Sequence, residues 1–463
     1  MSSPKPYKLD ASSDFLNWVT NRVNTARIIP DITHPAGEEW EYGIPTAVME
    51  PLVEYWRTTF DWRKIEKQIN ETFNMYTVDL EEAGEVISLH FVHHRSERPN
   101  AIPLIFAHGW PGNFTEVEHL LKLTAPEDPE AQPFHIVAPS IPGFTLSSSP
   151  SKSGFGLAKI ANIYHKLMLK LGYDNYLGQG GDWGSFILRS IALQHPASLV
   201  GLHLNFPPTL PPKLTTNPTT LFWLAIRYFT PEESKRLKRM QWFLKTESGY
   251  SLIQRTKPQT ISYALLDSPI GMLAWIREKM QLATEESHVW NADTVLTWTM
   301  LYLISGSAGH ARIYKEAASE VDGTSVVLGT RISKEVAIGV SSFPKDVAYA
   351  TKWWAEATLA ERIVTWREHD KGGHFPSVEC PEALITDVNE WVKACPEDTG
   401  AALTPLKNVY IRLASDLIYN TRLREAEGYK TGLRDTSESL SIRERILDKR
   451  LELDNARSEV SNG

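Results

Sequence analysis

The 463-residue chain carries 48 Lys and Arg against 56 Asp and Glu, a net charge of -8 with no long cationic stretch, which argues against nucleic acid as a partner. That length exceeds one minimal domain and allows a large core, as expected of a catalytic domain with added segments. Two cysteines, Cys380 and Cys395, make no disulfide framework and fit a reducing, cytoplasmic setting.

No apolar run follows the first positive charges, so neither a secretory signal nor an anchor is expected at the N-terminus. Residues 1–100 read as helices followed by a hairpin, with Asp14-Phe-Leu-Asn-Trp-Val and Pro51-Leu-Val-Glu-Tyr-Trp-Arg placing apolar side chains at helical spacing. From Ile102 the pattern becomes short apolar runs ended by Gly or Pro: Ile102–Ala107, Phe134–Ala138, Asn175–Gly180, Leu199–Leu204 and Thr324–Gly329. Such runs predict strands buried on both faces. Helical patterns such as Leu157–Leu171 and Ser185–Gln194 separate them, which predicts βαβ units and a mostly parallel sheet, an α/β class with core segments at 101–205 and 324–397. Between them, 206–323 opens with Pro207-Pro-Thr-Leu-Pro-Pro, turns helical and is expected to lie over the carboxyl end of the sheet as a lid. Its longest apolar stretch, Leu221–Phe229, contains Arg227 and falls short of the ~20 residues a membrane span requires. The last segment, 398–463, holds a capping box at Ser441-Ile-Arg-Glu and reads as a charged helical or disordered tail.

The chemistry centres on Gly180-Gly181-Asp182-Trp183-Gly184, which joins a strand to a helix through a sharp turn. A nucleophile elbow needs small residues two before and two after the presented side chain, because larger ones collide with backbone. The presented residue is an aspartate, already anionic at neutral pH and able to attack saturated carbon, and the resulting alkyl ester needs water activated by a base. His108-Gly109-Trp110-Pro111-Gly112 follows the strand at Ile102 and is the expected oxyanion loop, with the backbone N–H groups of Trp110 and Trp183 as donors. For the base, Gly372-Gly-His374-Phe follows the last strand-like run, Ile363-Val-Thr-Trp. Position favours Asp346 as its orienting acid over Asp322, Glu335 and Glu368. Attack that expels an alkoxide also needs a proton donor opposite the nucleophile, a task that suits lid tyrosines. The pattern leaves Tyr228, Tyr250, Tyr263, Tyr302 and Tyr314 as equal choices.

With these residues assembled, the chain resembles the microsomal-type epoxide hydrolases of the α/β-hydrolase superfamily, including their soluble fungal members, from about residue 7 to 397. The likeness rests on Glu39-Trp-Glu-Tyr-Gly, Tyr55-Trp-Arg, Asp61-Trp-Arg63 with Glu66, His90-Phe-Val-His, His108-Gly-Trp-Pro-Gly, Pro139-Ser-Ile-Pro-Gly-Phe, Gly181-Asp-Trp-Gly, Glu247-Ser-Gly-Tyr250, Lys257-Pro, Asp267-Ser-Pro-Ile-Gly, Tyr314-Lys-Glu and Gly372-Gly-His-Phe. It implies Asp182 as nucleophile, Asp346 as acid, His374 as base and Tyr250 and Tyr314 as epoxide-activating phenols. It also implies an N-terminal meander around the core, and soluble relatives tend to form homodimers. The expected partners are an epoxide and water, with no metal and no cofactor. Glu81-Glu-Ala-Gly-Glu departs from the family's usual turn, and the tail after Thr399 has no counterpart. A haloalkane dehalogenase is the nearest alternative, and a ligand-binding protein that kept the fold without turnover is another. The second predicts a broken catalytic set, and none of its members is missing.

Overall fold

Near the turn, over residues 78–81 and 85–88, buried and open side chains alternate at period two, and in the computed structural model these residues belong to a hairpin, β2 (Met75–Glu82) and β3 (Glu85–His94). The structure describes residues 3–210, 212, 229–319, 323–396 and 399. Tyr228, Asp322 and the tail expected after residue 398 lie outside them, Thr399 excepted. Ala83 and Gly84 turn the hairpin, both with positive φ (52° and 72°), as a tight two-residue connection requires. The sequence that departs from the family pattern is therefore an ordinary hairpin turn.

Among the described residues nine strands form one sheet in the order β1-β2-β3-β5-β4-β6-β7-β8-β9. β1 (Lys5–Pro6), β2, β3 and β5 (Phe134–Pro139) pair antiparallel in turn. From β5 onward, β4 (Ile102–Ala107), β6 (Tyr176–Gly180), β7 (Leu199–Leu204), β8 (Ala337–Ser342) and β9 (Ile363–Glu368) all run parallel. β5, β6, β7 and β8 are buried along their whole length, as their unbroken apolar runs predict, whereas the edge strand β9 is half-exposed.

One expected strand is a helix. Thr324–Gly329 folds as a short helix in which Val327 alone is buried, and Arg189, on the helix Asp182–Gln194, donates to the Val327 carbonyl at 3.0 Å. A six-residue apolar run fits a strand and a helical turn equally well, so only its neighbours decide.

The N-terminal segment fastens the lid. Ser12 caps the helix Ser13–Asn24, and Arg57, on the helix Thr46–Thr58, donates to the Val23 and Ala26 carbonyls at that helix's C-terminus. Glu66, on the helix Trp62–Thr72, accepts from Ala11 N–H at 2.6 Å and Trp62 Nε1 at 3.1 Å and pairs with Arg63 at 2.6 Å, so the Asp-Trp-Arg-x-x-Glu motif pins the leading strand. The meander then reaches the helical insertion: Arg277 stacks on Trp40 at 5.5 Å, the Tyr55 hydroxyl donates to Asp293 at 2.9 Å, and Arg22 pairs with Asp267 at 2.8 Å. None of the described helices is long and apolar enough to cross a membrane.

Two glycines fix how closely helix and sheet approach. A Cβ on Gly184 would lie 1.9 Å from the Ala107 carbonyl oxygen at the end of β4, and one on Gly180 would lie 2.9 Å from the same atom. Gly184→Ala is therefore expected to destabilise the fold by about 1–3 kcal/mol. Gly249→Ala, where nothing lies within 4 Å, serves as the near-neutral control, and thermal unfolding of the pair checks the contrast.

Candidate active site

Strand β6 ends at Gly180, and the chain turns so sharply that Asp182 has φ 45°. A non-glycine residue in the left-handed region costs about 1–3 kcal/mol and persists where its surroundings over-determine it. Those surroundings are the Gly184 contact with Ala107 and the loop after β4. A Cβ on Gly109 would fall 2.2 Å from Asp182 Oδ1, so only a bare backbone leaves room for the carboxylate there. The Trp110 N–H donates to Asp182 Oδ1 at 2.7 Å.

The other oxygen, Asp182 Oδ2, stands 3.4 Å from His374 Nε2, and the far side of the ring, Nδ1, lies 2.7 Å from Asp346 Oδ1. Asp346 Oδ1 also accepts the N–H of Val347 at 2.6 Å. Of the rival acids, Glu335 is exposed in a turn, and Glu368 accepts from Trp366 Nε1 at 3.0 Å. Burial opposes a charge on His374, yet the carboxylates of Asp346 and Asp182 on either side outweigh it and raise its pKa well above the ordinary imidazole range. The resting arrangement is thus an imidazolium between two carboxylates.

The glycines before the base also have a steric reason. Gly372 has φ +96°, and a Cβ on Gly373 would lie 2.2 Å from the Ala283 carbonyl of the helical insertion. That carbonyl accepts the His374 N–H at 2.8 Å. Glu285 accepts the Gly372 N–H at 3.1 Å, and Glu379 bridges the N–H groups of Phe375 and Glu285 at 2.8 and 2.7 Å. The insertion therefore grips the loop that carries His374.

Among the candidate tyrosines, Tyr250 and Tyr314 come together, with ring centroids 5.9 Å apart. Tyr250 stacks on Trp110 at 5.0 Å and Tyr314 meets Trp183 edge-on at 4.8 Å, so both phenols stand beside the residues flanking the carboxylate. Burial, reinforced by the Asp182 charge, raises the pKa of both and keeps them protonated. Gly143 and Gly309 touch backbone to backbone, a Cβ on Gly309 falling 2.3 Å from Gly143 Cα, and this contact seats the helix Gly309–Glu316 that bears Tyr314. Tyr302 is spent elsewhere, donating to the Gly112 carbonyl at 2.7 Å, and Tyr263 is 73% exposed.

One pocket is lined by Asp182, His374, Trp110 and also Asn205, Ser377 and Glu116. Sequence reasoning passed over these last three. Asn205 and Ser377 carry no signal beyond their types, but Asn113-Phe-Thr-Glu116 spells a capping box that pattern reading can find.

A parallel-sheet core, an acidic elbow at a strand's carboxyl end and a histidine paired with a second carboxylate define an α/β-hydrolase. Residues 4–117 match the family described as "Epoxide hydrolase N terminus", and residues 102–232 match the family described as "alpha/beta hydrolase fold". A protein of Stigmatella aurantiaca assigned to the epoxide hydrolases is 38% identical over 397 residues, covering 83% of this chain and 84% of its own length. Epoxide hydrolase 1 of Sus scrofa is 32% identical over 418 residues, covering 84% and 88%. The solved structure of Aspergillus niger epoxide hydrolase superposes with a TM-score of 0.72 at 30% identity, covering 85% of this chain and 96% of that one. The chain belongs to the epoxide hydrolase family and is an enzyme of that family.

Replacing Asp346 by Asn removes a carboxylate that raises the His374 pKa. A base works only when unprotonated, so the acidic limb of the pH–rate profile is expected to move to lower pH, while the maximal rate falls roughly 10²- to 10⁴-fold with the loss of imidazole orientation. A pH–kcat series on the variant checks both shifts.

Proposed function

We propose that the enzyme opens an epoxide with water to a vicinal diol through an alkyl ester on Asp182. The observation that carries the reading is the division of labour between the two Asp182 oxygens: Oδ1 is held by the Trp110 N–H, and Oδ2 is free of backbone donors beside His374. In this reading Oδ2 attacks one ring carbon, the C–O bond of the ring breaks, and Tyr250 or Tyr314 gives its proton to the departing oxygen. Alkylation removes the negative charge on Asp182 that helped hold the proton on His374, and the imidazolium gives that proton to the phenolate left by ring opening, which restores the phenol and leaves a neutral base. It then takes a proton from water, whose oxygen adds to the ester carbon. The Trp110 and Trp183 N–H groups carry the charge that develops on Oδ1. Collapse releases the diol, whose second hydroxyl takes the proton of the added water oxygen, and the proton that His374 took from water restores the resting imidazolium.

In His374→Gln the ester should form and persist. Mass spectrometry of that variant after mixing with a reactive aryl oxirane is expected to find the adduct on the peptide bearing Asp182, and an unmodified peptide alongside full wild-type turnover would refute the ester. Replacing both Tyr250 and Tyr314 by Phe is expected to lower the single-turnover alkylation rate by roughly 10²-fold or more. The same change should leave an alkyl halide, whose leaving group needs no proton, largely unaffected.

A further inference from the structure

Glu116 is a carboxyl inside the catalytic pocket that the mechanism above does not use. Its residue is 7% exposed, and it stands on the 3-10 helix Phe114–Thr124 just after the oxyanion loop. Oε1 accepts the Asn113 N–H at 3.1 Å, and Oε2 accepts the Ser377 hydroxyl at 3.3 Å. Capping the helix accounts for the first bond only. The second joins the loop that carries the Trp110 donor to the chain three residues beyond His374. The loop is also folded around this carboxyl, since a Cβ on Gly112 would lie 1.7 Å from Glu116 Oε1. Capping glutamates ordinarily face solvent, whereas this one lines the same pocket as Asp182 and His374.

The hydrolytic step, as read above, leaves one demand unmet. Water that gives one hydrogen to His374 Nε2 and a lone pair to the ester carbon has a second O–H, and without an acceptor for it the molecule is free to rotate away from attack. We infer that Glu116 is the second acceptor, holding the water of ester hydrolysis between its carboxyl and His374 Nε2. The inference rests on the ester reading of Asp182. The water O–H bond directed at His374 breaks, its proton passes to Nε2, and the new C–O bond forms at the Asp182 carboxyl carbon. Glu116 accepts throughout and transfers nothing.

Glu116→Gln keeps an oxygen for the Asn113 N–H but cannot accept through both positions. In single-turnover quench experiments on the full chain, ester formation is expected to stay near the wild-type rate while ester hydrolysis slows roughly 10- to 100-fold, the scale of a misplaced reactant. The Asp182 ester should then accumulate in mass spectra. Ser377→Ala leaves the helix cap intact and should slow the same step more mildly. Equal losses in both half-reactions with a lowered Tm would mean a purely structural capping role, and hydrolysis at the wild-type rate in Glu116→Gln would likewise overturn the inference. Absence of any ester in both Glu116→Gln and His374→Gln would remove the Asp182 reading and this one together, an outcome separate from an ester that forms and hydrolyses normally.

Discussion

The approach of Gly184 to the carbonyl of Ala107 is the constraint on which the site depends. It lets the helix Asp182–Gln194 start directly against the end of β4, and the backbone has no way to make that junction except by driving Asp182 into the left-handed region. The strain aims the carboxylate out of the sheet and into the loop after β4, where the Trp110 N–H and the bare face of Gly109 receive it. Orientation here is a steric outcome. The side chain does not find its donor by rotating on a mobile loop.

The charges follow from that placement. Two carboxylates, the half-buried Asp182 and the buried Asp346, face one another across a single imidazole, and Asp346 would be costly to bury without it. The same three groups therefore satisfy one another at rest. Such a balance depends on excluding water, because a high dielectric would weaken every interaction in it. The helical insertion provides that exclusion and also grips the Gly372–Phe375 loop through Ala283, Glu285 and Glu379. The N-terminal segment in turn holds the insertion through Trp40, Tyr55 and Arg22. The family's N-terminal motifs, far from the chemistry in sequence, thus act on it through packing.

Much of this was legible in the chain. The elbow is a local pattern, because its steric requirements fall on residues within five positions of one another. The buried strands are local too, since a parallel sheet covered on both faces demands unbroken apolar runs. Where the signal was equally short but its surroundings open, as at Thr324–Gly329, the reading failed: six residues do not distinguish a strand from a helical turn, and the contact with the helix Asp182–Gln194 made the choice.

The sequence by itself determined the class of fold, the acidic residue at the elbow and the histidine that follows the last strand, all from patterns a few residues long. The residue pattern left the tyrosines open and favoured Asp346 by position only; the tertiary structure decided that Tyr250 and Tyr314 meet beside Trp110 and Trp183, that Asp346 contacts His374 and that Glu116 shares a pocket with Asp182 and His374. The physical reason is distance along the chain: Tyr250 and Tyr314, Asp346 and His374, and Glu116 and Ser377 are each separated by tens to hundreds of residues. No local preference encodes such meetings, and only the packing of insertion, sheet and N-terminal segment brings them about.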